Sequence, residues 1–352
     1  MPLLMEGFLF SLVTIRTSER IMFKKRKICP EVAPMVRIRM WQNPPRPEPP
    51  RQGGLIKRPS LPAKQPAQQD KAPSPGEINR KAAQEILGEL DLLIGLDSVK
   101  KLVKEIQAFV EIQKLRQKEK LIFEPMVLHM IFKGNPGTGK TTVARIIGRL
   151  FKEMGVLPKG HLIEVERADL VGEYIGHTAA KTRDQIKKAV GGILFIDEAY
   201  SLARGGEKDF GKEAIDAMVT SMENNKDNLI IILAGYQDEM DYFLETNPGL
   251  RSRFPIHITF PDYSIDDLMK IAGLMLKQRQ YQLASPAAAE LAKIIEQQTR
   301  RHEHSGNARL VRNLIERAMR LQAVRLVSKK DISRQDLMMI NKEDLTEALE
   351  EI

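Results

Sequence analysis

From Glu77 onward, two patterns of apolar residues alternate along the chain. Short runs of almost pure apolar character lie near 127–132, 161–165, 192–197, 229–234 and 255–260. Between them run longer stretches whose apolar residues recur at three- and four-residue spacing. The first pattern predicts strands buried on both faces, and the second predicts amphipathic helices. Five strands separated by helices predict a five-stranded parallel sheet flanked by helices. Two charged helices, at about 77–90 and 97–119, precede the first strand. Beyond Pro261 the strand pattern stops, and Ser264–Gln280, Pro286–His302, Ala308–Leu326 and roughly Lys342–Glu350 predict helices. The second of these has Ser285 as its N-cap and Pro286 at its first helical position. The expectation is an α/β domain over 77–262, with its N-terminal helices, and a small all-helical domain over 263–352.

Residues 1–76 follow neither pattern. They hold 13 of the 20 prolines and 14 Lys/Arg against 5 Asp/Glu. Such a segment buries too little apolar surface to offset its ordering entropy, so it is expected to be a largely disordered, low-complexity basic extension. The cluster Lys24-Lys25-Arg26-Lys27 reads as part of a solvated tail. Leu3–Ile15 is apolar but too short to span a bilayer as a helix, and its cations follow it rather than precede it as in a secretory signal. Translation beginning at Met22 would account for this start equally well.

Charge changes the picture less than the total of +9 suggests. With 14 of the 55 Lys/Arg and 5 of the 46 Asp/Glu in residues 1–76, the remaining 276 residues carry 41 of each. An electroneutral body argues against a nucleic-acid partner. Cys29 is the only cysteine, so no intramolecular disulfide forms and a cytoplasmic protein is expected. His302-Glu303-His304 lacks the spacing of a zinc protease helix and reads as solvated.

The chemistry is concentrated in two runs. Gly134-Asn135-Pro136-Gly137-Thr138-Gly139-Lys140-Thr141 matches the G-x-x-x-x-G-K-[ST] loop, and Thr142 follows it. In that loop backbone N–H groups cradle phosphates, the Lys reaches the β/γ-phosphates and the Thr hydroxyl meets Mg²⁺. A predicted strand precedes it and a predicted helix follows, so the helix N-terminus adds its positive dipole end. The second run, Ile193-Leu194-Phe195-Ile196-Asp197-Glu198, ends an apolar strand in two acids at the sheet edge where open α/β sheets bind ligands. Asp197 is the candidate to hold Mg²⁺, and Glu198 the candidate to polarise an attacking water. Together the runs predict a Mg²⁺-dependent ATPase.

Over about residues 90–350 this combination resembles the AAA+ ATPases. The runs 134–145, 168–178 and 195–202 resemble the branch of that family that holds the sporulation K proteins and the red-type Rubisco activases. The resemblance implies that residues 263–352 are a lid over ATP. It places Ile94 and Gly95 in the segment packed around adenine. It implies an arginine finger at Arg253, with Arg251 as the alternative, acting on a neighbouring subunit's ATP. It implies a second sensor at Arg309, with Arg312 as the alternative. Tyr174-Ile175-Gly176 resembles the pore loop that grips an extended polypeptide in ring-forming members. One position departs from the family pattern: Tyr236 stands where an Asn usually orients the attacking water. The resemblance therefore implies a homo-hexameric ring that remodels a protein substrate. A DNA-directed motor or loader, and a nucleotide-gated scaffold of the type VII secretion kind, are the competing readings.

Overall fold

The computed structural model describes residues 78–122, 127–174, 176–204, 209–301 and 306–349. The extension over 1–76 with Cys29 and its cation cluster, the histidines at 302 and 304, and Ile175 lie outside the described residues.

Two helices open the described chain, α1 (Arg80–Asp91) and α2 (Asp97–Lys118). Asn79 caps the first, its Oδ1 accepting the Ala82 N–H at 3.3 Å. Then come β1 (Met130–Lys133), α3 (Lys140–Glu153), β2 (Leu162–Val165), α4 (Arg167–Leu170), α5 (His177–Ala189) and β3 (Ile193–Ile196). A 3₁₀ turn at Ala199–Ala203 leads to α6 (Gly211–Asn224), β4 (Ile230–Gly235), α7 (Gln237–Thr246), α8 (Pro248–Arg251) and β5 (Ile256–Thr259). The five strands form one parallel sheet in the order β2-β3-β4-β1-β5, with Met130 of β1 opposite both Ile232 of β4 and Ile256 of β5.

This arrangement explains why the inner strands β3 and β4 read as unbroken apolar runs, while the edge strands β2 and β5 carry Glu164 and Thr259 exposed. Successive side chains point to opposite faces, and both faces of the inner strands are covered. Met130, Phe132, Phe195, Ile232 and Ile258 pack with α1, α2 and α3. Ile131, Leu194, Ile196, Ile231 and Leu233 pack instead with residues of α5, α6 and α7. Helix α3 presents Val143, Ala144, Ile147, Leu150 and Phe151 to the sheet, all fully buried and spaced at helical intervals.

The apolar run at 127–132 was expected to be strand throughout, yet β1 begins only at Met130. The reason is His129, buried, whose Nδ1 accepts the Ile231 N–H at 3.0 Å in place of a backbone carbonyl. Burial pushes this imidazole down to about 4 from 6.5. The unfolded chain therefore binds a proton here through a window in which the folded chain does not. The stability that His129 contributes as a neutral group is complete above pH 6.5 and is lost as pH falls toward 4. At about 1.4 kcal/mol per pH unit the loss reaches roughly 3 kcal/mol. Urea unfolding of wild type and His129→Gln at about pH 7.5 and about pH 4.5 checks this, with the variant expected to lose less stability on acidification.

The second region comprises α9 (Ile265–Gln278), β6 (Gln282–Leu283), α10 (Ser285–Arg301), α11 (Asn307–Val327), α12 (Arg334–Met338), β7 (Met339–Ile340) and α13 (Lys342–Leu349). Ser264 caps α9 as its Oγ accepts the Asp267 N–H, while Ser285 falls just inside α10 rather than at its cap. A core of Leu268, Ala272, Leu291, Ile295, Leu314 and Ile315 holds these helices together. After Pro261 strand structure returns only as the two-residue parallel pair of β6 and β7. Gln322 of α11 fastens that corner, its Nε2 lying 3.0–3.2 Å from the carbonyls of Asp336, Leu337 and Met339. Asp344 is almost wholly buried and receives Arg325 in a two-point pair, Nε and Nη2 each at 2.9 Å. Arg325→Met removes the cation and strands the buried carboxylate, so melting should show a loss of about 3 kcal/mol.

Candidate functional site

The loop from β1 to α3 sits between the end of β5 and the start of α11. Gly134 has φ +150°, and a Cβ there would lie 2.4 Å from the Phe260 carbonyl. Gly137 has φ +75°, and its Cβ would lie 2.3 Å from the Gly306 carbonyl. Neither position admits a side chain without moving backbone. Thr138, fully buried, donates through Oγ1 to the Asn135 carbonyl at 2.8 Å and pins the loop from within. Lys140 opens α3, and its Nζ donates to the carbonyls of Gly134 and Asn135 at 2.7 and 2.8 Å. Burial lowers its proton affinity; Asp197 opposes this and Arg309 adds to it.

Beside the loop is a cleft of about 380 Å³. Pro136, Gly137, Gly139, Lys140, Thr141 and Thr142 line its floor, with Asp197 and Glu198 at one wall. Asp197 ends β3, and its Oδ1 accepts the Glu198 N–H at 3.0 Å. Glu198 itself has φ +47°, a left-handed backbone that a non-glycine residue adopts at a cost on the order of 1–2 kcal/mol. The far end of the cleft is apolar, formed by Leu93, Ile94, Leu96, Ile271, Leu274 and Met275. Arg309 and Arg312, one helical turn apart on α11, both reach it. Tyr236 lines it too, its ring 6.0 Å from that of Tyr200, which packs against Gly235 and lies under the Arg204 guanidinium at 4.5 Å.

Three residues expected at the ligand also support the walls of the cleft. Asn135 turns its amide to Asp262, donating to both carboxylate oxygens at 2.9–3.0 Å. Thr138 faces inward, as described above. Gly95, at φ +63°, lets the chain pass the Tyr263 ring, which a Cβ would approach to 3.3 Å. Thr141 and Asp197 bring a hydroxyl and a carboxylate into one cleft, the hard oxygen donors that Mg²⁺ takes together with substrate phosphates. No cluster of three or more His, Cys, Asp or Glu suited to a metal occurs among the described residues.

The remaining candidates stand away from the cleft. Arg253 donates through Nη1 to the Gly249 carbonyl at 2.8 Å and through Nη2 to Glu223 at 2.7 Å, while Arg251 ends α8 exposed. Tyr174 is 65% exposed, with its ring edge-on to His177 at 5.6 Å, and Gly176 has φ +82°. The sequence reading missed Asp262, Tyr263 and Asn307. Tyr263 donates from its hydroxyl to the Thr138 carbonyl at 3.2 Å and from its backbone N–H to Asn307 Oδ1 at 3.0 Å. The Pro261-Asp262 step before α9 was the one available signal, and it marks only a turn.

Comparison with known proteins agrees with this geometry. Residues 130–262 match the ATPase family associated with various cellular activities (AAA), and residues 264–352 match the AAA lid domain. Stage V sporulation protein K of Bacillus subtilis (strain 168) is 56% identical over 265 residues, covering 75% of this chain and 82% of that protein. The chloroplastic ribulose bisphosphate carboxylase/oxygenase activase of Cyanidioschyzon merolae is 46% identical over 273 residues, covering 76% of this chain and 93% of its own. Among solved structures, the FIGL-1 AAA domain superposes with a TM-score of 0.51 at 17% identity over 74% of this chain and 82% of that one, a likeness of fold.

Proposed function

The chain belongs to the AAA ATPases and hydrolyses ATP, and from that premise we propose that it works as a homo-hexameric ring that remodels a protein substrate. The observation that carries the proposal is the single cleft in which Lys140, Asp197, Glu198 and the lid arginines converge. In this reading the loop 134–142 holds the phosphates, and the apolar end with Ile94 takes the adenine. Thr141 and Asp197 hold Mg²⁺, which supplies charge neutralisation at the phosphates when bound. Glu198 accepts the proton of the attacking water, and Lys140 offsets charge on the transferred group.

Arg309 is the better second sensor, because it packs directly on the phosphate loop at Gly137 as well as lining the cleft. Arg253 and Arg251 line no part of their own cleft, as expected for a cation that serves a neighbouring subunit. Tyr236 stands at the cleft with a hydroxyl able to orient water, which supports it as first sensor. The exposed Tyr174 beside the left-handed Gly176 supports a substrate-gripping loop shared with Ile175. A cytoplasmic setting belongs to the same proposal and rests on the single cysteine. Among the described residues no helix is long and apolar enough to cross a membrane. The balance of 41 cations and 41 anions beyond residue 76 favours a protein substrate over DNA.

The test uses a ring that binds ATP without turnover. Glu198→Gln in ATP should retain substrate polypeptides through purification, and adding Tyr174→Ala should release them while leaving ATP binding within about twofold. Equal retention by both variants would overturn the gripping role of Tyr174, and a chain that hydrolyses ATP at full rate while sedimenting as a monomer would overturn the ring.

A further inference from the structure

Where the chain leaves β5 for α9, three side chains tie the phosphate loop to the lid. The Asp262 carboxylate accepts Asn135 Nδ2 of the loop at 2.9–3.0 Å and Asn307 Nδ2 of α11 at 2.8 Å. Asn307 Nδ2 also lies 3.4 Å from the Pro136 carbonyl, and Asn307 Oδ1 accepts the Tyr263 N–H at 3.0 Å. The backbone completes the junction, since the Ala308 N–H reaches the Gly137 carbonyl at 3.2 Å.

Asn307 is suited to this place on three counts. It is fully buried, so each polar atom it carries needs a partner, and each has one. Its φ of +46° is left-handed, a conformation that Asn tolerates better than other side chains. It also lies two residues before Arg309, while Asn135 supplies one of the carbonyls that hold Lys140. Hydrogen bonds therefore run from Lys140 through Asn135 and Asp262 to Asn307, and the first turn of α11 carries the connection on to Arg309.

We propose that Asn307 and Asp262 are positioning residues for ATP turnover, setting the phosphate loop and the lid in one register so that Lys140 and Arg309 meet the same nucleotide. The proposal rests on the assignment of this cleft as the ATP site. Glu198 lies in the turn after β3, outside the linked path, so loss of the link weakens nucleotide capture more than the chemical step.

The experiment measures steady-state ATP hydrolysis by the full chain at one fixed protein concentration. Asn307→Asp sets a carboxylate against Asp262, and KM for ATP should rise about tenfold while kcat stays within about threefold. Combining it with Asp262→Asn restores a donor facing an acceptor, and the double exchange should return KM to within about twofold of wild type. Asn307→Gly keeps the left-handed backbone without strain but lacks the amide, so it separates the hydrogen bonds from folding. It should melt within a few degrees of wild type and raise KM about as much as Asn307→Asp. A double exchange no better than the single variant, or a folded Asn307→Gly with wild-type KM, would overturn the proposal. Undiminished ATP binding by Lys140→Ala would instead overturn the assignment of the site.

Discussion

Glu198→Gln is expected to bind ATP with near wild-type affinity and to hydrolyse it about a thousandfold more slowly. The exchange keeps the size of the side chain and removes its basicity. The carboxylate that Asp197 and the loop leave facing the cleft is the group placed to take a proton from water, and general-base contributions run to about 10²–10⁴ in rate. Binding is expected to survive because, in the proposed site, Lys140, Thr141 and the backbone of residues 134–139 would make the phosphate contacts. The left-handed φ of +47° at Glu198 strengthens the expectation. Such a backbone persists only where packing imposes it, and here it turns the residue after Asp197 into the cleft instead of along the strand. Glu198→Gly would relieve that strain, so it should melt no lower than wild type while remaining as inactive as Glu198→Gln. Single-turnover hydrolysis and fluorescent-nucleotide binding on the same preparation separate the two effects. Turnover within about tenfold of wild type in Glu198→Gln would remove Glu198 from the catalytic role.

The parallel sheet was legible because a strand covered on both faces must be apolar at every position, and such runs stand out against helical spacing. The start of β1 was not, because His129 looks like one polar residue in an apolar run until its partner, the Ile231 N–H 102 residues away, is known. The cleft was read in part. Loop glycines and the acids after β3 announce themselves by local spacing, since the phosphate-binding backbone is contiguous in the chain. Asp262 and Asn307 do not, because Asn135 lies 127 residues from Asp262, and Asp262 lies 45 from Asn307. Their function comes from the crossing of two domains, which leaves no periodicity in either. Gly95 and Asn135 also carry structural roles that no motif shows: Gly95 lets the chain pass Tyr263, and Asn135 anchors the loop on Asp262.

Arg253→Ala is expected to lower ATP turnover by about 10³ or more without weakening ATP binding to the same chain, the loss typical of a guanidinium withdrawn from a developing phosphate charge. In the isolated subunit this arginine is paired with Glu223 at 2.7 Å, and Glu223 is 63% exposed. An exposed pair of that kind contributes about 0–1 kcal/mol, far less than a contact with a triphosphate inside a closed interface, so the pair does not prevent the arginine from leaving. Arg251 is exposed at the end of α8, and Arg251→Ala is expected to cost less than about tenfold. Mixing decides whether the arginine acts on its own cleft. Arg253→Ala supplies an intact Glu198, and Glu198→Gln supplies an intact Arg253. In a head-to-tail assembly random mixing makes roughly a quarter of the interfaces complete, and turnover should reappear in the mixture of two inactive proteins. No recovery on mixing, in rings shown by sedimentation to contain both chains, would mean that Arg253 acts within its own subunit or not at all. Recovery would tie hydrolysis to assembly, because the cleft holding Lys140 and Glu198 would then lack a charge that only the neighbouring subunit can provide.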